Sequence, residues 1–453
     1  MCRIAFWLGS FSILFAQAAL PHAAANNRVR VIVETDAGGD PDDEQSLVRF
    51  LLYANELDIE GIIANRATAR QRENRNVERT GLGIVRRLVA AYEEVYPKLV
   101  QHDPRYPRPE QLRQRVVPGH AEVDDGERLI LEAVNRDDPR PVWFMNWGTD
   151  AGSGPSNLLR ALDRVLHERG QEEYARFKRK LRLSSADKFG DHTHSIEPPF
   201  PLWVDTFRPE VDGRRWYHRF SGITATAGGF DLKRDALVDH GPLGALYPTN
   251  TTHRQKEGDT MTFLYLLPTG MSEPQRPTWG SWAGRYGLQD PSSGKPYYWA
   301  NRPDAWQGTT HRDNSLIRWV EHLQNDFRAR LDWCVQDRDS ANHPPQVRLR
   351  IGQDDDAQPQ TIVERQAAAS DTITLDASAT SDPDGDKLRF QWQLYPEPGG
   401  YRGPAIDVAQ ADSPQATITL PKLDAPATLH IILVVTDEGN PPLSRYGRVV
   451  VQW

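Results

Sequence analysis

The stretch that decides the fold is "VIVETDAGGDPDDEQSLVRFLLYANELDIEGII", Val31–Ile63. Val29–Thr35 is rich in β-branched residues and reads as a buried strand. Over Glu44–Glu56, Leu47, Phe50, Leu51 and Ala54 recur at helical spacing, and Ile59–Ala64 reads as a second buried strand. Between strand and helix, Asp36 to Glu44 places five acids in nine residues. Carboxylates this close repel one another and raise each other's pKa, so such a loop is costly unless a positive charge sits in it. The alternative is a solvated or helix-capping acidic turn.

The alternation continues. Val77, Leu82, Val85, Leu88, Val89 and Tyr92 mark a helix. Asp124–Asn135, Pro141–Trp147 and Ser156–Glu168 then read as helix, strand and helix. Strands alternating with helices imply an α/β domain with a Rossmann-like, mostly parallel sheet covered on both faces. Ligands bind beyond the carboxyl ends of such strands, where the acidic loop lies. Ser315–Gln336 looks like a closing helix with Ile317, Val320, Leu323, Phe327 and Leu331 on one face. Asn342–Pro345 signals a linker. After it come short alternating strands with no good helix, the pattern of a small all-β sandwich. The expected division is a signal peptide at 1–25, the α/β domain at 28–336, a linker at 337–345 and the sandwich at 346–453.

The chain has 453 residues and a net charge of −8, which argues against a nucleic-acid partner. Arg3, the apolar run Ile4–Phe15 and Ala23–Ala25 have the order of a secretory signal, so a secreted or periplasmic location is expected. No later stretch is apolar enough for stable membrane insertion. Cys2 would leave with the signal, and Cys334 alone cannot form an intramolecular disulfide.

Asp36, Asp40, Asp42 and Asp43 offer hard oxygen ligands suited to Ca²⁺, and Gly38 and Gly39 let the loop fold tightly. The loop is not an EF-hand, since Pro41 stands where glycine is needed and Leu47 where glutamate is needed. Gly148–Ser156 lacks the lysine of a phosphate-binding loop.

Asp36–Asp43 at a strand end, followed by a helix and an Ile-x-Gly-Ile strand, resembles the inosine-uridine nucleoside hydrolase fold, whose pattern there is Asp-x-Gly-x-Asp-Asp. The longer match, with "KEGDTMTFLYLLPTGMSEPQRPTWGSWAGRY" at Lys256–Tyr286, resembles the nucleoside-hydrolase-like branch described as cellulose-binding. The tail is similar to that branch's sandwich and to polycystic-kidney-disease-type repeats. The resemblance implies a Ca²⁺ cofactor with Asp36, Asp43, Asp259 and a carbonyl near Trp147 as ligands. It further implies Asp36 as general base and Asp42 as holder of sugar hydroxyls. Two residues are inserted between the glycine and the Asp pair, and the family's base-binding loops have no clear counterpart.

Trp279 and Trp282, with Trp299 and Trp306, are candidates for stacking on sugar rings; buried packing is the default role of each alone. Asp187, Asp191, His192 and His194 are candidates for contacting substrate or its leaving group. Asp382–Asp386 reads as a β-turn before a weak Ca²⁺ loop. The expected function is hydrolysis of an N- or O-glycosyl bond in a carbohydrate-containing substrate. Its rivals are a non-catalytic, cellulose-binding protein and a nucleoside N-ribohydrolase.

Overall fold

The computed structural model describes residues 27–39, 41–70, 78–148, 156–185, 201–203, 227–249, 255–288, 298–299, 302–351 and 360–453. The expected signal peptide lies outside them, as do Asp40, Asp187, Asp191, His192 and His194. No described helix is long and apolar enough to cross a membrane.

Strand β1 (Val29–Thr35) sits inside an eight-stranded sheet. The others are β2 (Leu57–Ala64), β3 (Val116–Pro118), β4 (Val142–Asn146), β5 (Leu181–Ser185), β6 (Pro201–Trp203), β7 (Gly287–Leu288) and β8 (Tyr298–Trp299). Their order is β3-β2-β1-β4-β5-β6-β8-β7, and all pairings are parallel except β7 with β8. Side chains alternate across β1: Val31 and Val33 join one core, and Ile32 joins the other. Helices α1 (Pro41–Leu52) and α2 (Gly81–His102) cover the first face; α3 (Asp125–Asn135) and α4 (Asn157–Arg179) cover the second. Because β1 is flanked by β2 and β4, the chain reverses direction across the sheet at β1. That crevice is where the acidic loop emerges.

Helix α1 begins at Pro41, three residues earlier than the apolar spacing suggests. Proline fits the first helical position, and Asp42 and Asp43 in the first turn favour the positive end of the helix. The closing helix is broken: Asn314–Ile317 and Val320–Asp332 are separate. The break turns Ile317 out to solvent, while Leu323, Phe327 and Leu331 stay fully buried.

The C-terminal region is a sandwich of two four-stranded sheets, antiparallel apart from one parallel pair between Ile362–Gln366 and Ser444–Gln452. Its inner faces enclose their own core around Leu375, Trp392 and Leu433. Its outer residues Tyr395, Ile432, Val434 and Tyr446 belong instead to the core beneath the parallel sheet. The segment at 337–345 is not a loose tether. Asn342 is buried, donating to Asp437 Oδ1 at 2.9 Å, and His343 meets His102 at 2.9 Å and Asp384 at 2.9 Å. The expected turn at Asp382 is present, its Oδ1 accepting from the backbone N–H groups of Asp384 and Asp386.

The interface is polar as well as apolar. Tyr446 Oη accepts from Trp282 Nε1 at 2.9 Å, and fully buried Arg448 donates to Met271 O at 2.8 Å and Trp279 O at 3.0 Å. Tyr395 Oη donates to Asp304 Oδ2 at 2.6 Å, and Arg285 pairs with the other oxygen at 2.7 Å. Such a junction should make the described domains unfold together. Urea unfolding followed by near-UV circular dichroism, with calorimetry, should show one transition. Trp282→Ala should lower the stability of the whole by about 3–5 kcal/mol, the range for truncating a buried aromatic. Two separable transitions would contradict this coupling.

Candidate functional site

The strand ends supply the site. Asp36 follows β1, Asn65 and Arg66 follow β2, and Trp147 and Gly148 follow β4. The loop after β1 is closed by Asp43, whose Oδ1 accepts from the Thr35 hydroxyl and from Asp36 N at 3.0 Å. One carboxylate thereby ties the end of the strand to the first turn of α1. Gly148 runs close beside Asp36: a Cβ there would lie 3.0 Å from Asp36 Oδ1, so a side chain would press on the carboxylate.

Beneath the loop, buried Glu34 accepts from Asn157 Nδ2 at 2.8 Å, Ser156 Oγ at 3.1 Å and Asn157 N at 3.2 Å. Burial raises its pKa, and these donors pull it back. Asn65 Nδ2 donates to Gly148 O at 2.7 Å, fixing the chain after β4.

Asp259 comes from a distant part of the sequence and is brought in by α1. Gln45 Oε1 accepts from Lys256 N at 2.6 Å, and Ser46 Oγ accepts from Thr260 Oγ1 at 3.1 Å. Arg49 pairs with Glu257, its Nη2 reaching Oε1 at 3.0 Å, with both residues fully buried. These three helix residues hold the 255–260 segment against α1. Trp147 braces it from the other side: its Nε1 donates to Thr262 Oγ1 at 2.7 Å, and that hydroxyl donates to Asp259 O at 2.7 Å.

As a result Asp42, Asp43 and Asp259, all buried, bring carboxylate oxygens within 4.8 Å of one another. Burial holds Asp42 well above the usual carboxylate range, with the charges of Asp259 and Asp36 adding to it. Asp43 is raised for the same reasons, with Asp42 as a further neighbour. Asp36 lies at the edge of this trio, its Oδ2 3.8 Å from Arg66 Nη1. Lys256 Nζ lies 3.9 Å from Asp42 Oδ2. Burial pulls Lys256 down to about 8, while Asp259 and Asp36 hold it up. A converging set of buried carboxylates offers the hard oxygen donors that a divalent cation takes. The residues present therefore suit Ca²⁺ by donor type. Of the ligands the resemblance implies, Asp43 and Asp259 are in the cluster. Asp42 replaces Asp36 among its closest members, and Trp147 contributes a buried side chain that braces Asp259.

The tryptophans are elsewhere. Trp282 is 1% exposed and Trp279 6%; the first packs edge-on against Tyr446 and the second against His430. Rings enclosed by the sandwich have no open face for a sugar, and we reassign both to the domain interface. Trp306 is half-buried beneath the Arg318 guanidinium at 4.9 Å. Arg66 and Lys256 escaped the sequence reading, although Lys256 stands in the same "KEGD" run as Asp259. Glu34 had a visible signal, a charge inside a β-branched strand.

The family model described as "Cellulose-binding Sde182, nucleoside hydrolase-like domain" matches residues 30–286, and that of the "Cellulose-binding protein Sde0182, C-terminal domain" matches 372–453. The chain belongs to this family. A solved structure, described as a nucleoside hydrolase-related hypothetical protein from Saccharophagus degradans that is associated with carbohydrate metabolism, is 29% identical. The alignment covers 94% of this chain and 99% of that one, with a TM-score of 0.69. The PKD domain of a protein called KIAA 1837 aligns with 19% of this chain and 76% of its own length at 28% identity. The TM-score of that alignment is 0.15. No curated protein matches the sequence.

The raised carboxylates make a signed prediction. Their folded pKa values lie above the unfolded ones, so the folded state holds protons that the unfolded state releases. In chelator, the stability due to these groups should be fully present below the ordinary carboxylate range and lost as pH rises toward their folded pKa values. Asp42→Asn should remove part of that loss, so its stability relative to wild type should increase from pH 4 upward by denaturant titration. A difference independent of pH would show that the two acids are not held in this state.

Proposed function

We propose that this exported protein binds one Ca²⁺ at Asp42, Asp43 and Asp259, with Asp36 beside them, and hydrolyses a glycosyl bond in a carbohydrate. The observation that carries this reading is the convergence of those buried carboxylates at the switch point of a nucleoside-hydrolase-like sheet. When bound, the ion supplies the acidity that makes a water easier to deprotonate. Asp36, kept accessible beside Gly148, takes the proton of the attacking water. Asp42 holds a sugar hydroxyl, and the carboxylates together favour the positive charge that develops on the sugar ring. The family's description as cellulose-binding and its relative's association with carbohydrate metabolism support a glycan over a nucleoside. The N-terminal sequence supports export.

One observation favours a second reading, a non-catalytic glycan-binding protein. Arg66 Nη1 is 3.8 Å from Asp36 Oδ2, so a guanidinium competes for the carboxylate that would serve as base.

Two measurements decide between them. Protein purified without chelator should hold about one Ca²⁺ per chain by elemental analysis; stoichiometric zinc, or no divalent metal, would refute the site. With Ca²⁺ and a panel of glycans and nucleosides, new reducing ends should appear. Asp36→Asn should cut that turnover by at least about a hundredfold, the lower range for loss of a positioned general base, while glycan affinity falls far less. Tight glycan binding by wild type without turnover of any substrate would establish the second reading.

A further inference from the structure

A second group of acids lies in the sandwich and shares no residue with the strand-end cluster. Asp382, Asp384 and Asp386 stand in the turn before the strand Leu388–Tyr395, with carboxylate oxygens within 4.8 Å of one another. The turn accounts for Asp382 Oδ1, which accepts from Asp384 N at 2.8 Å and Asp386 N at 3.1 Å. It does not account for Asp382 Oδ2, which is buried and receives no donor. An acidic turn alone signifies little. What sets this one apart is the buried oxygen set behind it.

Asp437 ends the strand Thr428–Asp437 and is fully buried. Its Oδ1 accepts from Asn342 Nδ2 at 2.9 Å, Leu443 N at 2.9 Å and Gly439 N at 3.0 Å, while its Oδ2 receives no donor. Asn342 Nδ2 also donates to Pro441 O at 2.8 Å, so the amide is fixed and its buried Oδ1 is left without a donor. The next residue holds the turn. His343 N donates to Asp384 Oδ2 at 2.6 Å, and His343 Nδ1 lies 2.9 Å from Asp384 Oδ1. Adjacent residues of the linker thus draw Asp437 and Asp384 together. Burial raises the pKa of Asp437, and the charge of Asp382 adds to it. Buried acceptors without donors are rare, and three beside one acidic turn make a ligand set for a cation.

We propose that Asp382, Asp384, Asp386, Asp437 and the side-chain oxygen of Asn342 form a second Ca²⁺ site, which clips the linker to the sandwich. The donors are all oxygen. His343 offers no free nitrogen for zinc or copper, since its Nε2 lies 2.9 Å from His102 Nδ1 and its Nδ1 serves Asp384. Mg²⁺ keeps most of its waters and takes one or two carboxylates, whereas Ca²⁺ collects many oxygens in a flexible shell. Asn342, Asp384 and Asp386 line a cavity of about 600 Å³ that gives the ion a way in. The cations on its other wall are engaged: Arg234 and Arg328 with Asp235, and His240 with Asp332. Asp384 is exposed and Asp382 and Asp386 only half-buried, so affinity falls in the range of extracellular modules, roughly 10⁻⁴–10⁻³ M. This ion therefore leaves during purification without added Ca²⁺, and the strand-end ion stays.

The test titrates the full mature chain, freed of metal by chelator, with Ca²⁺ alone by calorimetry. A weak event should appear in that range. Asp386→Asn should weaken it by at least about tenfold, because affinity follows ligand charge, and leave any tighter event unchanged. Asp259→Asn should do the reverse, so this site and the strand-end site stand or fall separately. The clip is read by trypsin at exposed Arg338 in the linker. At free Ca²⁺ ten times the weaker Kd, cleavage of wild type should slow by roughly tenfold, and that of Asp386→Asn should not. A wild type without the weak event, or a weak event that Asp386→Asn leaves intact, would overturn the site. Equal protection by Mg²⁺ would overturn its assignment to Ca²⁺, and wild-type cleavage indifferent to Ca²⁺ would overturn the clip.

Discussion

Three carboxylates out of water within 4.8 Å of one another are the constraint on which the rest of the sheet end depends. Left alone, such groups would take up protons or push apart. The fold opposes separation mechanically. Asp42 and Asp43 cannot move without unwinding the first turn of α1, and Asp43 is further bound by Thr35 and Asp36. Asp259 is held by Gln45, Ser46 and Arg49 on that same helix, and by Trp147 through Thr262. The helix that carries two of the acids thus also grips the segment that carries the third. A buried ion pair such as Arg49–Glu257 is weak evidence of stability, because desolvation opposes its attraction. Its value here is geometric.

The same logic extends outward to the sandwich. Asp326 receives Arg330 from its own helix at 2.9 Å and Arg445 from the sandwich at 2.7 Å. Burial raises its pKa, but the two guanidinium groups prevail and leave the acid at about 2. The helix bearing Asp326 also supplies Gln324, which donates to Gln255 Oε1 at 3.0 Å and accepts from Arg49 at 3.0 Å. A continuous set of buried polar contacts therefore runs from the sandwich to the segment that positions Lys256 and Asp259. The sandwich supplies none of the carboxylates, yet it packs against the elements that hold them. Burial of Trp279 and Trp282 at this junction follows from the same need.

What was legible in the sequence depended on the range of the interaction. Strand β1, helix α1 and strand β2 are set by local apolar spacing, so Val31–Ile63 revealed them, and the switch-point position of the acidic loop followed from the order of elements. Asp259 was found through resemblance, because no local pattern ties it to a loop more than 200 residues away. Gln45, Arg66 and Lys256 carry no local signal for the same reason: their roles consist of contacts across the fold. The start of α1 is not legible from apolar spacing, which is silent on a first turn made of Pro and acids. Trp279 and Trp282 stay open between packing and stacking in the sequence, because Gly-rich, aromatic sequence looks alike whether it lines a cleft or seats a second domain. Only the presence of Tyr446 and His430 separates the two cases.

Family membership brings the fold and its strand-end site, and fold alone leaves the chemistry open. Of the contacts around the carboxylates, that of Arg66 with Asp36 bears most directly on this chemistry. Arg66 follows β2 directly, and its backbone carbonyl accepts from Gly81 N at 3.0 Å, so its main chain is fixed at the start of α2. Its guanidinium has little room to leave Asp36, being only 6% exposed. The positive charge of Arg66 and the negative charges of Asp42 and Asp43 act on Asp36 in opposite senses, so whatever this carboxylate does at the strand end it does between the two.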